Sequence, residues 1–410
     1  MRYKKIINDP VYGFISIPDG LIFQLIEHPF FQRLRYIKQV GLSHYVYPGA
    51  LHTRFHHAIG AMHLALRACS VLRNKGIDIT NEETEALAAA MLLHDIGHGP
   101  FSHALEYKLV AISHEEISLK IMTHLNQEFN GALQLCIDMY KGEYHRKFFR
   151  QLIRSQLDLD RLDYLARDSF FTGVTEGQVS YDRILHMLQV HKDALVIEEK
   201  GIYSIEKFLI ARRLMYWQVY LHKTVLSAEQ MLIKLVERIK FLLKSGTDIP
   251  LRPMLNNFLS QDFDNDNFNQ NPQLLYDYCH LDDQDIHIMI KDLCGHHDKV
   301  LSFIAKSLRY RKLFKLEFVH GENEDLLKQY RNQARAEWKL TDEELSFLVF
   351  SGKESNVEYN SNTDEIFILS KKGDVEPISA LLDFKLKNKA LIKNYICYPK
   401  KIVKQLYSKE

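Results

Sequence analysis

The chain has 410 residues, enough for about two or three domains at roughly 150 residues each. Hydrophobic residues make up 46% and charged residues 26%, and Lys plus Arg (53) nearly balances Asp plus Glu (52), for a formal net charge of +1. This composition excludes a chain disordered throughout, and its neutrality argues against broad polyanion binding while leaving room for a local basic pocket.

The longest apolar run, Ala86 to Leu93, falls far short of the ~20 residues of a membrane span, so no membrane partner is expected. Cys69, Cys136, Cys279, Cys294 and Cys397 are scattered, and Met1 to Pro10 has no apolar signal core. Both features read as a cytoplasmic protein with reduced thiols.

In chain order, the pattern predicts a short strand or hairpin over Val11–Ile17, closed by Pro18, Asp19 and Gly20. Helical periodicity follows from Leu21 to Val40, broken near Pro29, and then from Arg54 to Arg73 with a small-residue face of Ala58, Ala61, Ala65 and Ala68. Asn81 is the expected N-cap of a buried helix over Glu82–His94, which Gly97, Gly99 and Pro100 stop. Further helices are expected at His114–Glu128, Lys147–Asp168, Asp182–His191 and Ile205–Lys244, with one inserted hairpin over Ala194–Ile205 turning at Lys200-Gly201. Beyond Gly246, Asp262–Asn271 reads as a loop and Leu301–Lys315 as a basic amphipathic helix with a solvated face, nucleic-acid contact being the minor alternative. Strands are expected at Leu316–His320, Leu345–Ser351 and Glu365–Ser370. The expected fold is mainly α: a helical core over residues 1–245 with an inserted β-hairpin, then a smaller α+β region over 246–410 for accessory or oligomerisation roles.

The chain has 20 histidines, and ten of them fall between His44 and His124, where an even spread would place about four. That concentration points to metal or acid–base chemistry in the first third. His94 and Asp95 sit side by side where a buried apolar helix ends, a costly place for ionisable groups unless they are paired or bound to a cation. Imidazole with carboxylate suits a divalent Mn, Fe, Co, Ni or Zn ion; carboxylates alone would suit Mg. The bland alternative is a helix-end histidine capped by its neighbour. Two other segments bear on that choice: Thr53–His57, and the charged helix Leu157–Asp168, where Asp160, Tyr164, Arg167 and Asp168 are expected to share a face. Taken alone, that second helix reads rather as a solvated face with intrahelical ion pairs.

Together these segments, spaced H…HD…D, resemble the HD-domain phosphohydrolase superfamily. Phe31–Gln39, Tyr47–Ala50, Arg54–His57, His94–His103 and Asp160–Asp168 look like its deoxynucleoside triphosphate triphosphohydrolase branch. The resemblance covers about residues 1 to 230 and implies a metal-dependent hydrolase releasing deoxynucleoside and inorganic triphosphate. It implies metal ligation by His57, His94, Asp95 and Asp160, the R-F-x-H pattern favouring His57 over His56. Mg accompanying the substrate is also in keeping with it. His114 matches the catalytic histidine and Glu106 its acidic partner; Asp95 belongs to that catalytic set too. Arg54, His98, His103, Arg161 and Lys223 match residues facing the phosphates, with Arg161 in place of the family's lysine. Gln39, Tyr164, Asp168 and Tyr220 match positions around deoxyribose and base, Tyr220 being the one that would exclude a ribose hydroxyl. Helical spacing is expected to put Arg212, Tyr216, Tyr220 and Lys223 on one side. Asn8, Gln32 and Arg35 echo an activator site, where Glu27 and Phe14 depart from the pattern. The resemblance also implies a homo-oligomer, dimer or tetramer. The alternatives are an HD phosphohydrolase on a monophosphate or a guanosine alarmone, or a nucleotide sensor or nucleic-acid-binding protein without turnover.

Overall fold

The alanines at 58, 61, 65 and 68 are fully buried, and they let the Arg54–Asn74 helix lie close against the Asn81–Leu93 and Leu159–Thr172 helices. In the computed structural model, which describes residues 2–321, 323–356, 364–382 and 391–402, these three helices form the centre of a mainly α fold with small sheets. One apolar core runs through the helices before and after residue 245. No helix among the described residues is long and apolar enough to cross a membrane, and all five cysteines are free.

Several boundaries differ from expectation for local reasons. The N-terminal hairpin starts earlier, pairing Tyr3–Asp9 with Gly13–Pro18. Its first strand is exposed along most of its length, so no alternation announced it. Thr80, not Asn81, caps the next helix: its hydroxyl accepts from Glu83 N–H at 3.1 Å while the Glu83 carboxylate accepts from Thr80 N–H at 2.7 Å. The expected Lys147–Asp168 helix is two, Lys147–Ile153 and Leu159–Thr172, because Asp158 accepts from Arg161 N–H at 2.7 Å and starts a new helix. The inserted hairpin pairs Leu188–His191 with Ala194–Glu198, turning at Lys192 and Asp193, both at positive φ (50° and 63°). Lys200 and Gly201 instead lead into the Ile202–Met215 helix. The expected helix through Lys244 is interrupted by a π turn over Tyr216–Tyr220, and Asp264 caps a short helix, Asn265–Gln270, where a loop was expected.

The later part of the chain is tied to the earlier part by backbone pairing. Phe367–Leu369 adds a parallel strand beside Ala194–Glu198, with Ile197 opposite Ile368. A second sheet orders Lys315–Val319, Leu391–Tyr398 and Phe350–Asn356.

Arg167 departs from the expected shared face. Its guanidinium forks onto Asp163, Nε and Nη2 each at 2.9 Å, and reaches Asp9 in the hairpin at 2.7 Å. An i, i+4 carboxylate and a long side chain make that turn-away easy. Gly60 permits it, since any Cβ there would overlap Asp163 and Arg167. Arg167 and Asp163 are fully buried. Arg167→Met is therefore expected to strand two buried carboxylates and cost about 3–5 kcal/mol in urea unfolding. A loss under ~1 kcal/mol would mean that water reaches them.

Candidate active site

Three helix termini deliver the polar cluster. His57 lies in the first turn of Arg54–Asn74, His94 and Asp95 follow the last turn of Asn81–Leu93, and Asp160 is the second residue of Leu159–Thr172. His57 Nε2 lies 3.2 Å from His94 Nε2, 3.1 Å from Asp160 Oδ1 and 3.8 Å from Asp95 Oδ2. His94 Nε2 lies 3.4 Å from Asp160 Oδ1 and 3.5 Å from Asp95 Oδ1. Donors bound at roughly 2.0–2.1 Å to one ion sit about 2.8–3.4 Å apart in octahedral or tetrahedral sites, so the spacing of His57, His94 and Asp160 fits a divalent ion, with the Asp95 oxygens slightly farther out.

The far sides of the imidazoles fit it too. His57 Nδ1 donates to Asp163 Oδ2 at 2.7 Å, and His94 Nδ1 donates to the Met91 carbonyl at 2.8 Å. Each bond leaves the Nε2 lone pair facing the cluster, the usual support for a ligating histidine. Burial would lower the His57 pKa, but the Asp160 and Asp163 carboxylates outweigh it and raise it to about 10. Burial likewise opposes, and Asp95 and Asp160 reverse, the shift at His94, which ends raised. Asp160 resists its own burial and is held below the carboxylate range by His57 and His94. A field that holds protons this firmly also favours a dication. His56, the rival in sequence, turns back to accept from Thr53 N–H at 3.1 Å.

A second group borders the first: the donor atoms of Asp95, His98 and His114 also converge. The His98 and His114 rings stack at 3.8 Å and 13°. His114 Nδ1 donates to Glu106 Oε1 at 2.6 Å, so its Nε2 is the free ring position. Arg54 donates to Asp95 at 2.5 Å and to Ser102 Oγ at 3.0 Å. Burial, and then the Arg54 charge, push His98 well below the ordinary histidine value. Gly97 brings the His94–Gly99 loop against the helix that starts at His114; a Cβ there would overlap the His114 carbonyl and the Ser118 backbone nitrogen.

The cluster opens into a cavity of about 450 Å³. Gln39, Arg54, Asp95, His98, His114, Asp160, Arg161, Tyr164, Asp168 and Tyr220 from the expected site all line it. Asp168 is clamped, accepting from Tyr220 Oη at 2.7 Å and lying 2.7 Å from His52 Nε2. Arg161 pairs with the buried Asp158. The side chain of His103 lies outside the described residues. His57, His94 and Glu106 stand behind this wall, and two of the residues expected on the substrate side, among those described, are not on it either. Lys223 is exposed, its ammonium 5.3 Å over the Phe318 ring, and Arg212 donates to Gln156 Oε1 at 2.7 Å. The π turn adds a residue to its turn, and a fresh helix starts at Lys223, so a 3.6-residue extrapolation from Arg212 fails. A second cavity, of about 360 Å³, shares Asp95, His114, Asp160 and Arg161 and adds Lys141, Arg150 and Arg154. Elsewhere Asn8, Glu27 and Arg35 line a separate cavity of about 240 Å³, while Phe14 is 75% exposed.

Sequence reasoning missed residues that hold the site together. Arg33 donates to the carbonyls of Ile96 and His98 at 2.7 and 2.9 Å. Asp283, from the later part of the chain, accepts from the N–H groups of Lys38 and Phe101, both at 2.9 Å. Arg33 was within the Phe31–Gln39 motif, so a signal existed. Asp283 lies in a segment with no motif.

Comparison with known proteins shows the family. The HD domain family profile matches residues 54–168, and that of the HD associated region matches 179–248. A solved phosphohydrolase from Bacteroides thetaiotaomicron has 48% sequence identity and a TM-score of 0.93, over 96% of this chain and 99% of that one. The uncharacterized protein YwfO of Bacillus subtilis is 35% identical over 327 residues, 78% of this chain and 73% of that protein. The chain belongs to the HD-domain phosphohydrolase family and resembles its dNTPase branch. In that branch, the deoxynucleoside triphosphate triphosphohydrolase SAMHD1 homolog of Dictyostelium discoideum is 32% identical over 56% of this chain. SAMHD1 of Homo sapiens is 29% identical over 53% of it. The matches span only 48% and 42% of those two longer proteins.

Proposed function

We propose that the protein hydrolyses deoxynucleoside triphosphates, water adding at the α-phosphorus to release deoxynucleoside and inorganic triphosphate. The observation that carries this reading is the continuity of the His57–His94–Asp160 cluster, through Asp160 and the neighbouring Asp95, with a cavity walled by Tyr164, Asp168 and Tyr220. Phosphoryl transfer needs positioning and charge stabilisation, and Arg54, Arg161 and His98, which line the cavity, are the groups we assign to the phosphate oxygens. The adjoining cavity carries both signs of charge, Lys141, Arg150 and Arg154 beside Glu115 and Glu116, with Arg154 paired to Glu115.

His57, His94, Asp95 and Asp160 would hold the ion, and their mixed imidazole and carboxylate donors suit Mn, Fe, Co, Ni or Zn. A divalent ion there supplies Lewis acidity and a bound water of lowered pKa. His114, oriented by Glu106, protonates the departing 5′-oxygen from Nε2. Tyr220, tied to Asp168 by its hydroxyl, presents its ring to the sugar and leaves no room for a 2′-hydroxyl.

The test is a turnover panel with each dNTP, singly and mixed, with the matching NTPs as controls, under Mn, Mg, Fe or Co. Inorganic triphosphate and deoxynucleoside in equal amounts are expected from dNTPs and not from NTPs. Monophosphate with pyrophosphate, or no product from any dNTP, would sink the reading and favour another phosphoester or a sensor.

A further inference from the structure

The loop from Gly97 to Phe101, which follows Asp95 and carries His98, is gripped at three points by a later segment of the chain. Tyr278, in the Gln273–Cys279 helix, donates its hydroxyl to the Gly97 carbonyl at 3.2 Å. The same side chain packs against Gly99, where a Cβ would overlap the Tyr278 oxygen. Asp283, the first residue of the Asp283–Leu293 helix, accepts from Phe101 N–H through Oδ1 at 2.9 Å. His287, one turn further on, sets its ring edge-on to the Phe101 ring, at 5.2 Å and 82°. Tyr278, Asp283 and His287 all lie beyond the two stretches that the family profiles match.

Phe101 is a residue that needs holding. Its backbone is left-handed, with φ 46° and ψ 43°. A bulky side chain is strained there and stays only when its surroundings fix it. The other oxygen of Asp283, Oδ2, accepts from Lys38 N–H at 2.9 Å. Lys38 lies opposite Thr53 in an antiparallel bridge, where Gln39 N–H reaches the His52 carbonyl at 3.0 Å and Arg54 N–H reaches the Ile37 carbonyl at 2.9 Å. One buried carboxylate thus pins two segments. The first leads through that bridge to Arg54, and the second runs from His98 to Ser102. Arg54 then spans them, donating to Ser102 Oγ at 3.0 Å.

We propose that Asp283 is a positioning residue: by holding Lys38 and Phe101 at once it sets Arg54 and His98 against the phosphate, so the later part of the chain governs the rate of hydrolysis. This role rests on the assignment of Arg54 and His98 to phosphate oxygens made above, and not on which phosphoester is cleaved. Each oxygen must accept one N–H, so the brace needs the ionised carboxylate. Burial pushes Asp283 up to about 6, against the two N–H groups and the Lys38 ammonium. Around it stand Lys38, Asp282, His44 and His287, while Arg33, Asp285 and Arg309 act on those neighbours. Burial pushes His44 and His287 down to about 4, so both are neutral where Asp283 titrates. Below about pH 6 one Asp283 oxygen carries a proton, and one of the two N–H groups faces a hydroxyl. Turnover is therefore expected to fall as the pH drops through that value.

The experiment is a pH profile of kcat at saturating Mn, for wild type, Asp283→Asn and Tyr278→Phe. A mixture of the four dNTPs and a p-nitrophenyl phosphoester serve as parallel substrates. Wild type is expected to show an acid limb near pH 6. Asp283→Asn keeps one acceptor and turns an amide donor on the other N–H. Its kcat at neutral pH is expected to be about 10- to 100-fold lower on both substrates alike, without that limb and with Mn content at the wild-type level. Tyr278→Phe loses one grip only, and is expected to lower kcat about two- to fivefold and to keep the limb. A general folding defect would instead lower Mn content and leave the limb in the active fraction. A kcat for Asp283→Asn within about twofold of wild type, or the same acid limb in both, overturns the proposal. Should Asp283→Asn fail to fold, a wild type without the limb, or Tyr278→Phe at full rate, overturns it. Hydrolysis of the p-nitrophenyl ester but of no dNTP would count against the dNTP reading, and the brace is then read on the ester.

Discussion

His94→Ala is expected to empty the metal centre and reduce hydrolysis by more than about a thousandfold. The reason is geometric. His94 Nε2 lies within 3.5 Å of His57 Nε2, Asp95 Oδ1 and Asp160 Oδ1, and in the proposed centre it would share the ion with them. Removing it leaves His57 and two carboxylates, a set one donor short and with a single imidazole, which is expected to hold a transition ion much more weakly. The fold is expected to survive, because the side chain's other bond is one hydrogen bond to its own helix at Met91. Metal content of the purified protein, by mass spectrometry, should fall from about one ion per chain to less than about a tenth. Asp163→Asn offers a graded comparison. It keeps the imidazole but weakens the acceptor at His57 Nδ1, and is expected to lower metal affinity by about ten- to a hundredfold. Full metal occupancy in His94→Ala would relocate the ion to the neighbouring Asp95, His98 and His114 group.

The parts of this site legible from the residues alone lie close together in the chain, while His57 and Asp160 were joined to His94 only through the family resemblance. His94, Asp95, Gly97 and His98 report a helix end, a tight approach and a paired ionisable group within five residues. The Ala58–Ala68 spacing likewise announced the packing face that the structure shows, whereas the Thr80–Glu83 capping box was passed over in favour of Asn81 as the cap. Legibility fails where one structural feature is assembled from distant pieces. Asp283 braces the loops at Lys38 and Phe101 from more than 180 residues away, and Glu354 enters the cavity from a strand in the later part of the chain. Neither has a local pattern, because its role depends on tertiary packing.

Backbone irregularities account for other misses. The π turn at Tyr216–Tyr220 breaks helical extrapolation just before Lys223, and no composition cue distinguishes it from an α turn. The Lys192–Asp193 turn uses two non-glycine residues at positive φ, so the Gly201 downstream drew the expected turn to the wrong place. The Tyr3–Asp9 strand shows the same limit in another form: a strand exposed on both faces carries no period-2 signal.

His114→Ala is expected to lower kcat on a deoxynucleoside triphosphate by about 10²–10⁴-fold while leaving KM within a few-fold. His114 Nδ1–H is committed to Glu106 at 2.6 Å and the ring lies flat against His98, so its Nε2 has one orientation in the cavity. A proton delivered from there matters in proportion to the basicity of the leaving oxygen. The 5′-alkoxide of a nucleoside is a poor leaving group and needs it; a p-nitrophenolate does not. On a p-nitrophenyl phosphoester, His114→Ala is therefore expected to retain most of the wild-type rate. Glu106→Gln should follow the same pattern at about one-tenth to one-hundredth of wild-type rate on the nucleotide, since the amide oxygen still orients the ring but no longer stabilises its cationic form. The contrast separates two roles that a static structure merges. An acid loses its importance when the leaving group improves, whereas a residue that only grips phosphate loses equally on both substrates. Equal losses would reassign His114 to phosphate binding beside His98 and Arg54, and the proton for the 5′-oxygen would then come from water.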